Sequence, residues 1–191
     1  GARAIREGIR PDGSVIGPPM SVPFYRSMSD ADLTAIVTYI KALPPVKNVV
    51  PKSEYRIPLP PNYGPALKNV TAPPRTDRIR YGGYLVQISH CMECHSPFVK
   101  GQLMLAKMGA GGREFHGPWG VSVARNLTPD ETGLKQWTDA QIERAIREGV
   151  GRDGNRLKPP MAFGWYKNIS AEDMSAMIAY LRTLKPHPFG G

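Results

Sequence analysis

The chain has 191 residues, with 25 Lys and Arg against 16 Asp and Glu for a formal net charge of +9, and only two cysteines. Two cysteines exclude a disulfide-stapled scaffold, and no apolar run is long enough to span a bilayer. The basic excess steers the molecule toward acidic partners or anionic surfaces, but it is scattered, with no aromatic-interleaved basic stripe, so nucleic acid is not an expected partner.

Residues 3–45 align without gaps on residues 144–186, at an offset of 141, the difference between 161 and 20. Arg3-Ala4-Ile5-Arg6-Glu7-Gly8 falls on Arg144-Ala145-Ile146-Arg147-Glu148-Gly149, Pro18-Pro19-Met20 on Pro159-Pro160-Met161, Tyr25 on Tyr166 and Ser29 on Ser170. This is an internal duplication. Leu33, Ile36, Val37 and Ile40 recur as Met174, Met177, Ile178 and Leu181, each set with helical spacing, so each copy predicts an amphipathic helix. Ser29 and Ser170 are its expected N-caps, and prolines follow its end. The first copy begins inside a helix, and no C-x-x-C-H precedes Met20. The expectation is that residues 1–45 are the C-terminal half of a truncated domain, within the C-terminal portion of a longer chain. Residues 46–75 are rich in proline and predict an extended, stiff connector.

From Asp77, Tyr81, Tyr84, Leu85 and Ile88 share one helical face, and the helix is expected to run into Cys91. Gly82-Gly83 inside it costs helix stability unless another backbone approaches closely, and the segment near Tyr180 and Leu181 is the expected neighbour. Cys91-Met92-Glu93-Cys94-His95 then uses both cysteines in a C-x-x-C-H motif. Two thiols in this spacing form thioethers with a haem, and the adjacent histidine becomes the proximal iron ligand. A redox dithiol would need alternating β-α patterning, which is absent around Cys91. A zinc site would need further ligands at matching spacing, and His90, His116 and His187 do not supply them. Further on, Asn126, Thr128 and Trp137 carry donors suited to haem propionates, Trp137 serving equally as a core aromatic. Thr138 and Gln141 form a capping box that starts a helix through Arg144 to Gly149. Met161, between prolines and retained in both copies, is the expected sixth iron ligand, with His116 the rival. His90 is expected to face solvent.

Together, Tyr84-Leu85-Val86-Gln87, the haem motif, Gly111-Gly112-Arg113-Glu114-Phe115, Ala124-Arg125-Asn126-Leu127-Thr128-Pro129-Asp130, Trp137 and Tyr180-Leu181-Arg182 resemble class I cytochromes c. Within that class they resemble the multihaem cytochrome c subunits of bacterial membrane-associated alcohol, aldehyde and sugar-acid dehydrogenases. The resemblance implies an all-α class I fold around a covalent haem over residues 76–191, preceded by the half domain 1–45 and the linker 46–75. It implies haem c attached at Cys91 and Cys94, His95 and Met161 as axial ligands, and a second haem in the parent chain ligated by Met20. Pro118 matches the position whose carbonyl receives the His95 ring N–H, and Asn126 and Trp137 are expected cofactor-binding residues. The implied role is electron transfer without catalysis of its own, between partners such as a dehydrogenase subunit, a quinone-linked complex or a terminal oxidase. Because thioether attachment takes place outside the cytoplasm, a periplasmic location is expected. The competing expectation is a dihaem peroxidase-like enzyme with a releasable axial ligand.

Overall fold

A computed structural model describes all 191 residues, which divide into two compact units, Gly1–Ala72 and Pro73–Gly191. The first unit contains three helices: α1 (Ala2–Arg6), α2 (Val22–Tyr25) and α3 (Asp30–Ala42). Ser29 caps α3 by accepting the Asp32 N–H, and Asp30 and Asp32 sit where the helix dipole favours negative charge. The buried Arg6 side chain ties α1 to the start of α3, donating to the Met28 carbonyl at 3.1 Å and pairing with Asp30.

The second unit begins with α4 (Arg78–Ile88), capped by Asp77. The helix does not run on into Cys91. His90 takes a left-handed conformation with φ of 46°, and a separate turn, α5 (Cys91–Cys94), carries the two cysteines. Two short antiparallel hairpins follow, β1 (Phe98–Val99) with β2 (Gln102–Leu103) and β3 (Glu114–Gly117) with β4 (Gly120–Val123). An all-α fold does not predict them. Lys100 and Gly101, both at positive φ, close the first by the geometry that two-residue hairpin turns require. Then come α6 (Asp139–Glu148), α7 (Phe163–Tyr166) and α8 (Ala171–Leu181). In α6 the capping box is complete, and Gly149 ends the helix in the left-handed region.

The core of the second unit is the crossing of α4 and α8. A Cβ on Gly82 would collide with the Ala176 carbonyl oxygen and lie 3.1 Å from the Met177 nitrogen, and one on Gly83 would lie 2.8 Å from the Tyr180 ring. Gly82 therefore meets the backbone of α8 one turn before Leu181, and Tyr180 covers Gly83. Arg75 and Arg78 fasten the crossing, donating to Asp173 Oδ1 and to Ser175 Oγ, both at 2.6 Å.

The duplication seen in the sequence is present in the structure. α2 shifted by 141 residues is α7, and the isolated bridge Ile9–Val15 becomes Val150–Arg156. The loop bonds repeat as well: Ile16 N–H donates to the Gly8 carbonyl at 2.7 Å, and Leu157 N–H to that of Gly149 at 2.8 Å.

Within the segment expected as an extended connector, residues 46–72 belong to the first unit. The Tyr55 hydroxyl accepts the Gly17 N–H at 2.9 Å, Tyr63 Oη donates to the Ile16 carbonyl at 2.9 Å, and Leu67 N–H donates to Glu7 Oε1. Proline keeps this arm extended, so many of its polar groups find partners elsewhere in the first unit.

Candidate functional site: a covalent cofactor cavity

The second unit encloses a cavity of about 710 Å3, within the range of large-ligand sites. α4 and α5 with the residue that follows bring Val86, Cys91, Cys94 and His95 to it; α6 contributes Ile142, Ala145 and Ile146, an i, i+3, i+4 face; and the segment between α6 and α7, with the start of α7, contributes Leu157, Met161 and Phe163. Both thiols are free, and burial pushes the Cys91 thiol up to about 12. No three His, Cys, Asp or Glu side chains converge as a metal cluster.

His95 Nδ1 lies 2.7 Å from the carbonyl oxygen of Arg125. A carbonyl only accepts, so Nδ1 carries the proton and Nε2 is left with its lone pair for a metal. Burial lowers the His95 pKa below its ordinary value and keeps the ring neutral, as metal ligation requires, although the Arg125 bond acts in the opposite direction.

This acceptor corrects the assignment to Pro118, which is exposed in the two-residue turn between β3 and β4. The local chain explains the difference. A Cβ at Gly111 would lie 2.7 Å from the Ala124 oxygen and the Asn126 nitrogen, so only glycine allows this approach, and Gly111 N–H donates to the His95 carbonyl. That clamp brings the end of β4, and with it the Arg125 carbonyl, against His95, while Pro118 is carried to the far end of the hairpin.

Three other expectations are revised. His116 stands exposed on β3 beside Glu114 and is not part of the cavity wall, so it does not rival Met161. His90 only partly faces solvent, its side chain being 33% exposed. It lies in the wall, and hydrogen bonds to Cys94 and Glu93 raise its pKa to about 9. Asn126 reaches the cavity, but its amide is spent on the protein: Nδ2 donates to Thr132 Oγ1 and the His187 carbonyl, and Oδ1 accepts from Thr128 N–H and Oγ1. Asn126 and the fully buried Thr128 therefore hold the C-terminal segment in place and have no donor left for a propionate.

The groups that could meet propionates are cationic. Arg125, Arg156 and Lys158 line the cavity and no acidic residue does, while Trp137, also in the wall, adds an Nε1–H that can only donate. Arg156 and Lys158 make long contacts of 3.3 Å to backbone carbonyls. Sequence reasoning missed these cations, although the duplication held a signal: Arg156 and Lys158 stand where the first copy has Val15 and Gly17. Two thiols, a neutral imidazole with one nitrogen free, a thioether, apolar walls and a cationic rim match a haem attached through both cysteines.

Comparison with known proteins agrees. A family model described as cytochrome c matches residues 79–185. The chain is 39% identical over 106 residues to a nicotinate dehydrogenase subunit from Pseudomonas putida, covering 55% of this chain and 8% of that protein. It is 36% identical over 103 residues to the gluconate 2-dehydrogenase cytochrome c subunit of Pantoea cypripedii, covering 53% and 22%. With the cytochrome c subunit of the quinone alcohol dehydrogenase of Gluconacetobacter polyoxogenes it shares 34% over 110 residues, covering 56% and 22%. The aligned stretches thus span less than a quarter of each of these relatives.

Proposed function

Since the chain belongs to the cytochrome c family and its domain carries covalent haem c, we propose that it transfers single electrons with His95 and Met161 as axial ligands, in the service of a dehydrogenase. The observation that carries this reading is the cavity itself, where Cys91, Cys94, a neutral His95 and Met161 meet within apolar walls. The haem supplies one-electron chemistry at its iron. Around it, Cys91 and Cys94 tether the ring, and the Arg125 carbonyl orients His95 and strengthens its donation through Nε2. Met161 offers a soft thioether that favours the reduced metal and raises the potential. The apolar residues exclude water, and Arg125, Arg156, Lys158 and Trp137 offset the propionate charges. The dehydrogenase partner is proposed from the relatives' roles, and the periplasm from where thioether attachment takes place.

Met161→Ala tests the ligation. The haem should stay covalently bound, the ferric sulfur-to-iron charge-transfer band should vanish, exogenous imidazole should bind, and the midpoint potential should fall. An unchanged ferric spectrum would sink Met161 as the ligand.

We infer further that α1 to α3 form the ligand-bearing half of a second domain of this kind, with Met20 in the role of Met161. Matching elements, loop bonds and the Pro-Pro-Met segment support this. Haem-iron content of the intact parent protein measures it, at two or more per chain.

A further inference from the structure

The turn that presents the two cysteines carries a third reactive side chain. His90, four residues before Cys94, lies in the cavity wall with both thiols, and positions i and i+4 of a helical turn share a face. Its ring is hydrogen-bonded to Cys94 and paired with Glu93, Nδ1 standing 3.4 Å from Oε2. Glu93 is itself held, its N–H donating to the His90 carbonyl at 3.0 Å and its carbonyl accepting Arg113 Nη1 at 2.8 Å. The backbone gives an independent sign. His90 sits at φ of 46°, a left-handed conformation that glycine adopts without strain, as Gly149 does after α6. A histidine placed there in spite of the strain points to a task for its side chain.

We propose that His90 is the proton relay for thioether formation at Cys94, a service it does not extend to Cys91. The proposal rests on covalent haem attachment and is independent of which residues ligate the iron. Adding a thiol across a vinyl group breaks the S–H bond and the π bond of the C=C, and forms one C–S and one C–H bond, with nothing oxidised or reduced. A proton must therefore leave sulfur and reach carbon. His90 can serve both ends of that transfer: its pKa is raised to about 9, chiefly by the bond to Cys94, so the ring is charged at neutral pH, gives its proton to the carbon and takes the one that sulfur loses, ending as it began. Glu93 beside it offsets the ring's charge. At Cys91 the leading influence is burial, which pushes that thiol up to about 12, so the two sulfurs of one motif are prepared differently. His90, Glu93 and Cys94 belong to a single turn, so the relay forms locally and does not wait for the core to close.

The full chain, matured in cells that attach haem, tests this with two variants. His90→Gln keeps a hydrogen-bond donor but has no proton to pass on, and His90→Gly suits the backbone while removing the side chain. After purification, free thiols are alkylated under denaturing conditions and counted separately at Cys91 and Cys94 by peptide mass spectrometry. In both variants free Cys94 should rise about tenfold or more relative to free Cys91. The pyridine haemochrome band of the attached haem should also move to the red, the mark of a vinyl group left unsaturated. No rise, an equal rise at both sulfurs, or full attachment in His90→Gln would overturn the proposal, the last reducing His90 to a structural contact. The unmutated chain keeps the reading beneath it distinct. If that chain carries no covalent haem, the reading itself falls; if it carries both thioethers and the variants do too, only the relay falls.

Discussion

Glu7 is buried against its own unit, with two opposing influences on its carboxyl. Burial raises its pKa, but the Arg3 hydrogen bond, the Leu67 N–H and the charges of Arg3 and Arg26 outweigh burial and hold it below the ordinary 4.5. A carboxyl depressed in the folded state stabilises fully above its unfolded value and loses that contribution as pH falls through the folded one. The first unit should therefore hold its stability down to about pH 4.5 and lose part of it below, and Glu7→Gln should flatten that loss; amide exchange at Leu67 between pH 6 and 3 measures it. At the same scale, Cys91, Cys94, His95 and Met161 were singled out in the sequence by residue type and spacing, and the structure brings all four to the wall of one cavity. The acceptor for His95 was not. A carbonyl belongs to every residue, so whether Pro118 or Arg125 supplies it depends on how Gly111 lets residues 111 and 124–126 close on each other. Asn126 was misread for a related reason: its type advertises donors, and only the fold shows them already used.

The α4 and α8 crossing yields a graded prediction at the scale of elements. Gly82→Ala should destabilise the second unit by about 3 kcal/mol or more, because the obstructing atoms are backbone. Gly83→Ala should cost less than about 1 kcal/mol, since the Tyr180 ring can move and alanine favours the helix. Guanidinium unfolding of both variants should rank them in that order. Elements with local signals were read correctly. Ser29, Ser170 and Thr138 cap their helices because a cap is a matter of four neighbouring residues. The break at His90 and the two hairpins were not seen, since strands of two to four residues have too little periodicity to register and are fixed by their turns and neighbours.

For the whole molecule, the division at residues 72 and 73 separates one unit that contains the complete cavity from one that does not. No helix is long and apolar enough to cross a membrane. Residues 73–191, matured with haem, should reproduce the spectrum and potential of the intact chain within error, because every cavity residue lies in that unit. Replacing both cysteines, Cys91→Ala with Cys94→Ala, should leave the second unit without cooperative unfolding. At roughly 24 cal/mol per Å3 of unfilled volume, a space near 710 Å3 would cost on the order of 17 kcal/mol as an upper bound, more than a domain of this size has in reserve. Calorimetry of that variant provides the measurement, and a sharp transition of full enthalpy would contradict it.

The link from His95 to the Arg125 carbonyl has a consequence for speed. An imidazole gripped by main chain, itself fixed by a glycine contact that tolerates no side chain, has nowhere to move when the metal it serves gains or loses charge. If His95 holds the iron as proposed, little nuclear rearrangement would accompany each change of oxidation state, and the barrier to self-exchange would be low. Loosening that grip, as Gly111→Ala would, should slow electron hopping between molecules even where the thioether bonds survive.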